Sequence, residues 1–219
     1  MAKKLRQGER VLIAPDIQGW IDEDGNPRIR EIRIDSFGEA LDPFSIETKI
    51  LIYERQVKEW FLIPALHLSC QKDKGFLSLM AGASYIEGYI QNFEGKSSKN
   101  GSRKYFKKGF RNIFGSFQEV KDADIEEFYD HVRCGLFHDG MTKGKVILCF
   151  DEGNEAGPID FSDPDIIKIH PRFMLEIILE HFERYLETLK NPEERKVRSN
   201  FEKTFMTDLK RSSREQLGY

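Results

Sequence analysis

The sequence predicts a mainly α protein: an antiparallel helical bundle with a small β-hairpin insertion and an irregular or β N-terminal arm. Three observations point there. From about Ser45, apolar residues recur at spacings of three and four through one long stretch after another. Alternating polarity, the mark of a half-buried strand, is confined to the first 44 residues and to about 145–170. Helix punctuation falls where those stretches should begin and end, with Pro171 opening one and Asp139-Gly140 closing another. The implied organisation is an arm over 1–44, a helical domain over 45–190 carrying the β insertion, and a C-terminal helix and tail over 191–219.

Composition bounds the class. Of 219 residues, 39% are hydrophobic and 12% aromatic, with 17 Phe, which is enough to build a core. Charged residues make up 32% yet net only −3, so affinity for nucleic acid has to come from a local basic region. Cys70, Cys134 and Cys149 are too few and too scattered for a disulfide framework and are expected as reduced thiols. The opening "MAKKLRQGERVLIAPD" lacks the apolar run of a signal peptide, and no stretch approaches 18 apolar residues. A soluble, cytoplasmic protein without membrane contact is expected.

In order along the chain, "RVLIAP" and "PRIREIRID" read either as short strands around the "DEDGNP" turn or as an extended arm that docks on a partner subunit. In "SIETKILIYERQVKEWFLIPALHL" the residues Ile50, Tyr53, Val57, Trp60 and Phe61 share one helical face, and Pro64 should kink or end the helix. "GFLSLMAGASYIEGYIQNF" follows with Leu79, Ala83, Ile86 and Ile90 in a four-three-four rhythm. It is apolar on nearly every side, as a central helix is, and Ala81, Gly82, Ala83, Ser84 and Gly88 let neighbours approach. A Gly/Ser loop leads to a short basic helix. "DADIEEFYDHVRCGLF" starts with acids suited to a helix N-terminus and carries Ile125, Phe128, Tyr129, Val132 and Leu136 on one stripe. "KVILCFD" and "DIIKIH" read as the two insertion strands. "RFMLEIILEHFERYLETLK" is amphipathic to Lys190, and a charged helix, "PEERKVRSNFEKTFMTDLKR", ends the pattern.

The chemistry-bearing stretch is "HVRCGLFHDG" at 131–140. A guanidinium at Arg133 can grip phosphate oxygens in pairs, and an imidazole at His138 can move a proton near neutral pH. A helix C-terminus attracts positive charge, which suits a general acid. Residues five apart in an ideal α-helix point about 140° from each other, so the pair converges only if the helix loosens near His138 or two subunits share the site. Glu87, an acid on an otherwise apolar helix, sits either at a wet helix edge, in a structural pair with an arginine, or as the group that orients Arg133 or His138. The stretch 96–111 holds seven Lys/Arg and no acid, so the rest of the chain nets −10. Arg103, Lys104, Lys107, Lys108 and Arg111 are the candidate nucleic-acid contacts, with Tyr105, Phe106 and Phe110 interleaved as stacking surfaces; the alternative is a solvated helix face whose aromatics are core. His67 and Cys70 form an H-x2-C pair with no second pair to complete a zinc site, so no metal and no cofactor are expected.

"FYDHVRCGLFHDGMTKGKVIL", after a helix with "AGASYIEGYIQ", resembles the HEPN superfamily (higher eukaryotes and prokaryotes nucleotide-binding domain) over roughly residues 45–190. Members are helical bundles with an Arg-x(4–6)-His motif near one helix end, and many dimerise with two motifs face to face. Many act as metal-independent ribonucleases in toxin–antitoxin, phage-defence and RNA-processing systems. The resemblance puts the motif on Arg133 and His138, and an earlier polar position on Glu87. It implies RNA as substrate, cut by 2′-hydroxyl attack to a 2′,3′-cyclic phosphate, a homodimer, and an antitoxin-like protein partner. Cys134 departs from the pattern, since active members often carry Asn or another polar residue after the Arg. The alternative it implies is a catalytically inactive HEPN-like module that binds RNA, a nucleotide or a protein.

Overall fold

The computed structural model describes residues 7–33, 36–117, 120–150 and 157–205, with the side chains of Arg33, Ser36 and Phe37 left aside. It is mainly α with two small sheets. The chain divides into two compact units, one comprising Met1–Trp60, Glu94–Lys96 and Leu186–Tyr219, the other Phe61–Phe93 and Ser97–Tyr185.

The first unit begins with a four-stranded antiparallel meander in the order β1 (Val11–Ala14), β2 (Ile17–Ile21), β3 (Pro27–Arg33) and β4 (Ser36–Leu41). The expected "DEDGNP" turn joins β2 to β3. Asp22 accepts the backbone N–H groups of Asp24 and Asn26 at 3.0 and 2.8 Å, and Gly25 takes φ +82°, which only glycine adopts freely. Residues 7–41 therefore build a sheet of four strands, beyond the two short strands or docking arm read from the sequence. The period-2 pattern hides in short strands, one of them marked by a register shift between Leu12 and Ala14. Ala14, Ile17 and Ile29 bury the inner face together with Ile52 of helix α1 (Ile46–Val57).

Ser45 caps α1, its Oγ accepting the N–H of Glu47 at 3.1 Å. The helix widens into a π turn over Lys58–Leu62 and resumes as α2 (Ile63–Ser69), with Pro64 in the first turn of α2. A proline has no N–H to give the preceding turn, and the added residue absorbs that break without stopping the helix. The same insertion rotates the face. Trp60 and Phe61, expected on the apolar stripe with Ile50 and Tyr53, are exposed, and Leu62 and Ala65 are buried instead. Within the first unit, whose part of this stretch ends at Trp60, the Lys49 ammonium is buried and meets Glu202 at 2.6 Å, on a helical run over 195–205. The part of the expected last helix beyond 205 lies outside the described residues.

In the second unit α3 (Gly75–Glu94) is the central helix, with Leu79, Ala83, Ile86 and Ile90 all buried. Gly82 faces Met174 and Ile178 of α6 (Pro171–Lys190), as a small residue there should, but Gly88 faces open space. The closest approach comes from a glycine not singled out in the sequence. A Cβ on Gly109 of α4 (Ser102–Phe114) would lie 2.2 Å from the Ile86 carbonyl oxygen, so α4 reaches the α3 backbone only because the side chain is missing.

The β insertion is a three-stranded sheet in the order β5 (Val146–Leu148), β7 (Ile166–Ile169), β6 (Ile159–Asp163). β6 and β7 make the hairpin. The "KVIL" strand, expected as one arm of it, pairs parallel with β7 instead, because a third strand, "IDFSD", lies between them in sequence. Among the described residues no helix is long and apolar enough to cross a membrane.

Candidate functional site

The site is built by α3, α4 and the helix that follows them. That helix starts as α5 (Asp122–Phe128), where the Asp124 carboxylate accepts the Lys121 N–H at 3.1 Å. It then runs as a π-helix over Tyr129–Asp139 and stops at Gly140, φ +74°. Ile125, Phe128, Tyr129, Val132 and Leu136 are buried as one stripe, which anchors the segment from below. The chain then folds back, and Lys143 donates its N–H to the His131 carbonyl at 2.9 Å. Gly135 permits this return, since a Cβ there would lie 2.7 Å from the Met141 carbonyl oxygen. The π geometry is what residue spacing could not show. Its hydrogen bonds run from i to i+5, so residues five apart come round to nearly one side, where an α-helix would splay them. Arg133 and His138 both lie in this segment.

Arg133 is held on three sides. Its Nη2 donates to Glu87 Oε2 at 3.0 Å, and its guanidinium lies 5.6 Å from the Tyr129 ring and 4.9 Å from the Phe137 ring. Tyr129, Arg133 and Phe137 are four apart, and a cation between two aromatic faces is an attractive arrangement in a partly dry site. Glu87 is buried with both oxygens engaged, the second taking the Ser98 hydroxyl at 2.7 Å. Ser98 is fixed in turn by its N–H, which donates to Gln91 Oε1 at 3.0 Å. Glu87 is therefore paired with an arginine and not at a wet helix edge, and the arginine it holds is Arg133. His138 is exposed and makes no side-chain hydrogen bond or ion pair among the described residues; none joins it to Arg133.

Arg103, Lys104, Lys107, Lys108 and Arg111 line one open groove of about 830 Å³, together with Ser102, Tyr129 and Cys134. The groove is less cationic than its sequence suggests. Arg103 makes a two-pronged pair with Asp130 at 2.8 and 2.6 Å, Lys107 meets Glu126 at 2.6 Å and Asp122 at 2.9 Å, and Arg111 meets Asp122. Positions 103, 107 and 111 form one stripe of α4, and 122, 126 and 130 the facing stripe. The charges answer each other electrostatically. Arg111 and then Lys107 hold the Asp122 carboxyl below the usual carboxylate range, Arg103 does the same for Asp130, and Glu126 and Asp122 raise Lys107. Phe106 and Phe110, expected as stacking surfaces, are fully buried among Phe114 and Phe128. The apolar face of α4 is needed for packing, so only Tyr105 of the three is even partly exposed.

Several participants escaped the sequence reading. Tyr129 appeared only as a core residue, yet its hydroxyl contacts Ser102 Oγ at 2.6 Å and its ring lies under both Arg103 (4.7 Å) and Arg133. Ser98 and Asp130 carry no motif signal. Elsewhere in this unit His181 is buried beside Tyr85, whose hydroxyl lies 3.0 Å from Nδ1, and against the Tyr89 ring at 4.3 Å. Burial lowers its pKa to about 4, with Arg184 adding to the effect. His67 and Cys70 are exposed, and among the described residues no three His, Cys, Asp or Glu side chains gather as a metal-holding group.

No protein-family model, no curated protein and no solved structure matches the chain.

Proposed function

We propose that the chain is a HEPN-like, metal-independent endoribonuclease working as a homodimer, with RNA as substrate and a toxin or defence role restrained by an antitoxin-like partner. The observation that carries the reading is Arg133, pinned by Glu87 and two aromatic rings in the π-helical segment it shares with His138. An arginine whose rotamer is already set loses little entropy on gripping a phosphate, and its remaining nitrogens keep their donors for one. In the reaction the RNA 2′-oxygen gives up its proton and bonds to the adjacent phosphorus, and the bond from phosphorus to the 5′-oxygen breaks. The products are a 2′,3′-cyclic phosphate and a 5′-hydroxyl. Arg133 binds the phosphate and offsets its developing charge. His138, exposed at the end of the helix, carries the proton at one of the two oxygens. Glu87 acts through Arg133 as a positioning residue, and Ser98 through Glu87.

The test is incubation of wild-type and His138→Ala protein with RNA in excess EDTA, with the product ends mapped. Cleavage by wild type alone, leaving cyclic phosphate ends, is expected; equal cleavage by both proteins overturns the reading. One observation favours a second reading, a HEPN-like module that binds RNA without cutting it. Arg103, Lys107 and Arg111 are already engaged by carboxylates, and Cys134 lines their groove where a polar residue is common in active relatives of the motif. Salt-dependent RNA binding with no cleavage at any enzyme concentration is its signature.

A further inference from the structure

The meander β1–β4 has one buried face and one whose residues are partly or fully exposed. Ala14, Ile17 and Ile29 point to the core. Alternation along β2 and β3 therefore turns Gln18, Trp20, Arg28, Arg30 and Ile32 outward, and the register shift in β1 turns Leu12 the same way. The register agrees, pairing Leu12 with Gln18, Gln18 with Arg30 and Trp20 with Arg28 across neighbouring strands. Leu12 is 53% exposed and Ile32 37%. These six positions include no carboxylate. At the margin the β2–β3 turn carries Asp22, Glu23 and Asp24, and Asp22 holds Arg28 at 2.7 Å. Glu31 alternates to the opposite face and is taken by Arg55 at 2.6 Å.

At the centre sits Trp20, with the guanidinium of Arg10 5.1 Å from its ring and that of Arg30 5.9 Å away. An indole layered with guanidiniums is a flat cationic stack. Arg28 and Arg30, two residues apart on β3, stand about 7 Å from each other along the strand, close to the interval between phosphates of an extended polynucleotide. A base can stack on the indole or on a guanidinium plane, while the arginines meet the backbone. A face presenting a ring beside cations suits unstacked bases, which offer a stacking plane and a phosphate together.

We infer that the outward face of the N-terminal sheet, centred on Trp20 with Arg10, Arg28 and Arg30, is a binding platform for single-stranded RNA. It lies on residues separate from the Arg133 site and stands or falls without it.

Trp20 reports on its own ligand. The chain has two tryptophans, so Trp60→Phe leaves Trp20 as the sole emitter, and His138→Ala in the same full-length chain keeps a probe intact. Titration with a short oligouridylate is expected to quench Trp20 saturably, with an affinity that falls as salt rises. Removing the ring by Trp20→Leu, with binding followed by anisotropy of a labelled oligouridylate, should weaken affinity by about tenfold or more. If that variant loses its circular dichroism spectrum, Arg10→Ala with Arg28→Ala, both at exposed positions, gives the decision, with a loss of at least about fivefold expected. Lys104→Glu with Lys108→Glu, on the α4 groove, should leave Trp20 quenching in place. The inference is overturned if the oligouridylate binds by anisotropy without touching Trp20 emission, if it does not bind, or if polyaspartate or duplex RNA quenches as well.

Discussion

Glu87 and Arg133 lie 46 residues apart in sequence and meet at 3.0 Å, their side chains only 11% and 21% exposed. Removing either leaves the other charge partly dry, so the two losses should not add. A double-mutant cycle with Glu87→Ala and Arg133→Met, followed by urea denaturation, is expected to return a coupling of about 2 kcal/mol. Full additivity would mean that the pair contributes nothing as a pair.

The facing stripes of α4 and α5 set up a competition between carboxylates and phosphates for the same cations. Asp122→Asn with Glu126→Gln and Asp130→Asn frees Arg103, Lys107 and Arg111. The triple variant is expected to bind oligouridylate more tightly than wild type and with a steeper dependence on salt, because more cations become available to release counterions. Anisotropy at several sodium chloride concentrations measures both. An unchanged slope would remove the α4 groove from any RNA interface.

His181 makes the fold acid-sensitive. Its pKa is lowered to about 4 in the folded state, against 6.5 for a free histidine. Between those values the unfolded chain binds a proton that the folded chain refuses, so stability rises with pH across that window. The contribution is complete above pH 6.5 and is lost as pH falls towards 4, by roughly 3 kcal/mol in all. Urea midpoints from pH 7.5 to 4.5 should therefore fall in wild type and fall less in His181→Leu. Parallel slopes in the two proteins would show that the acid loss arises elsewhere.

The sequence by itself determined the class of the chain and the position of most helices. Helical periodicity is a local property, and Leu79, Ala83, Ile86 and Ile90 announce a buried face without reference to any neighbour. It also marked Glu87, Arg133, His138 and the cations of 103–111, because those residue types are costly or unusual where they stand. What the tertiary structure decided lies in distances between segments and in departures from ideal geometry. The π-helix over Tyr129–Asp139 lessens the divergence that α-helical spacing implied for Arg133 and His138, and no residue type encodes it. The neutralisation of Arg103, Lys107 and Arg111 depends on α4 lying against α5, a matching of two stripes that only packing brings together. Trp20 and its two arginines are gathered by strand register from three places in the sequence, each unremarkable alone. Local interactions are written in order along a chain, whereas a site is an agreement among segments, and that agreement exists only once the chain has folded.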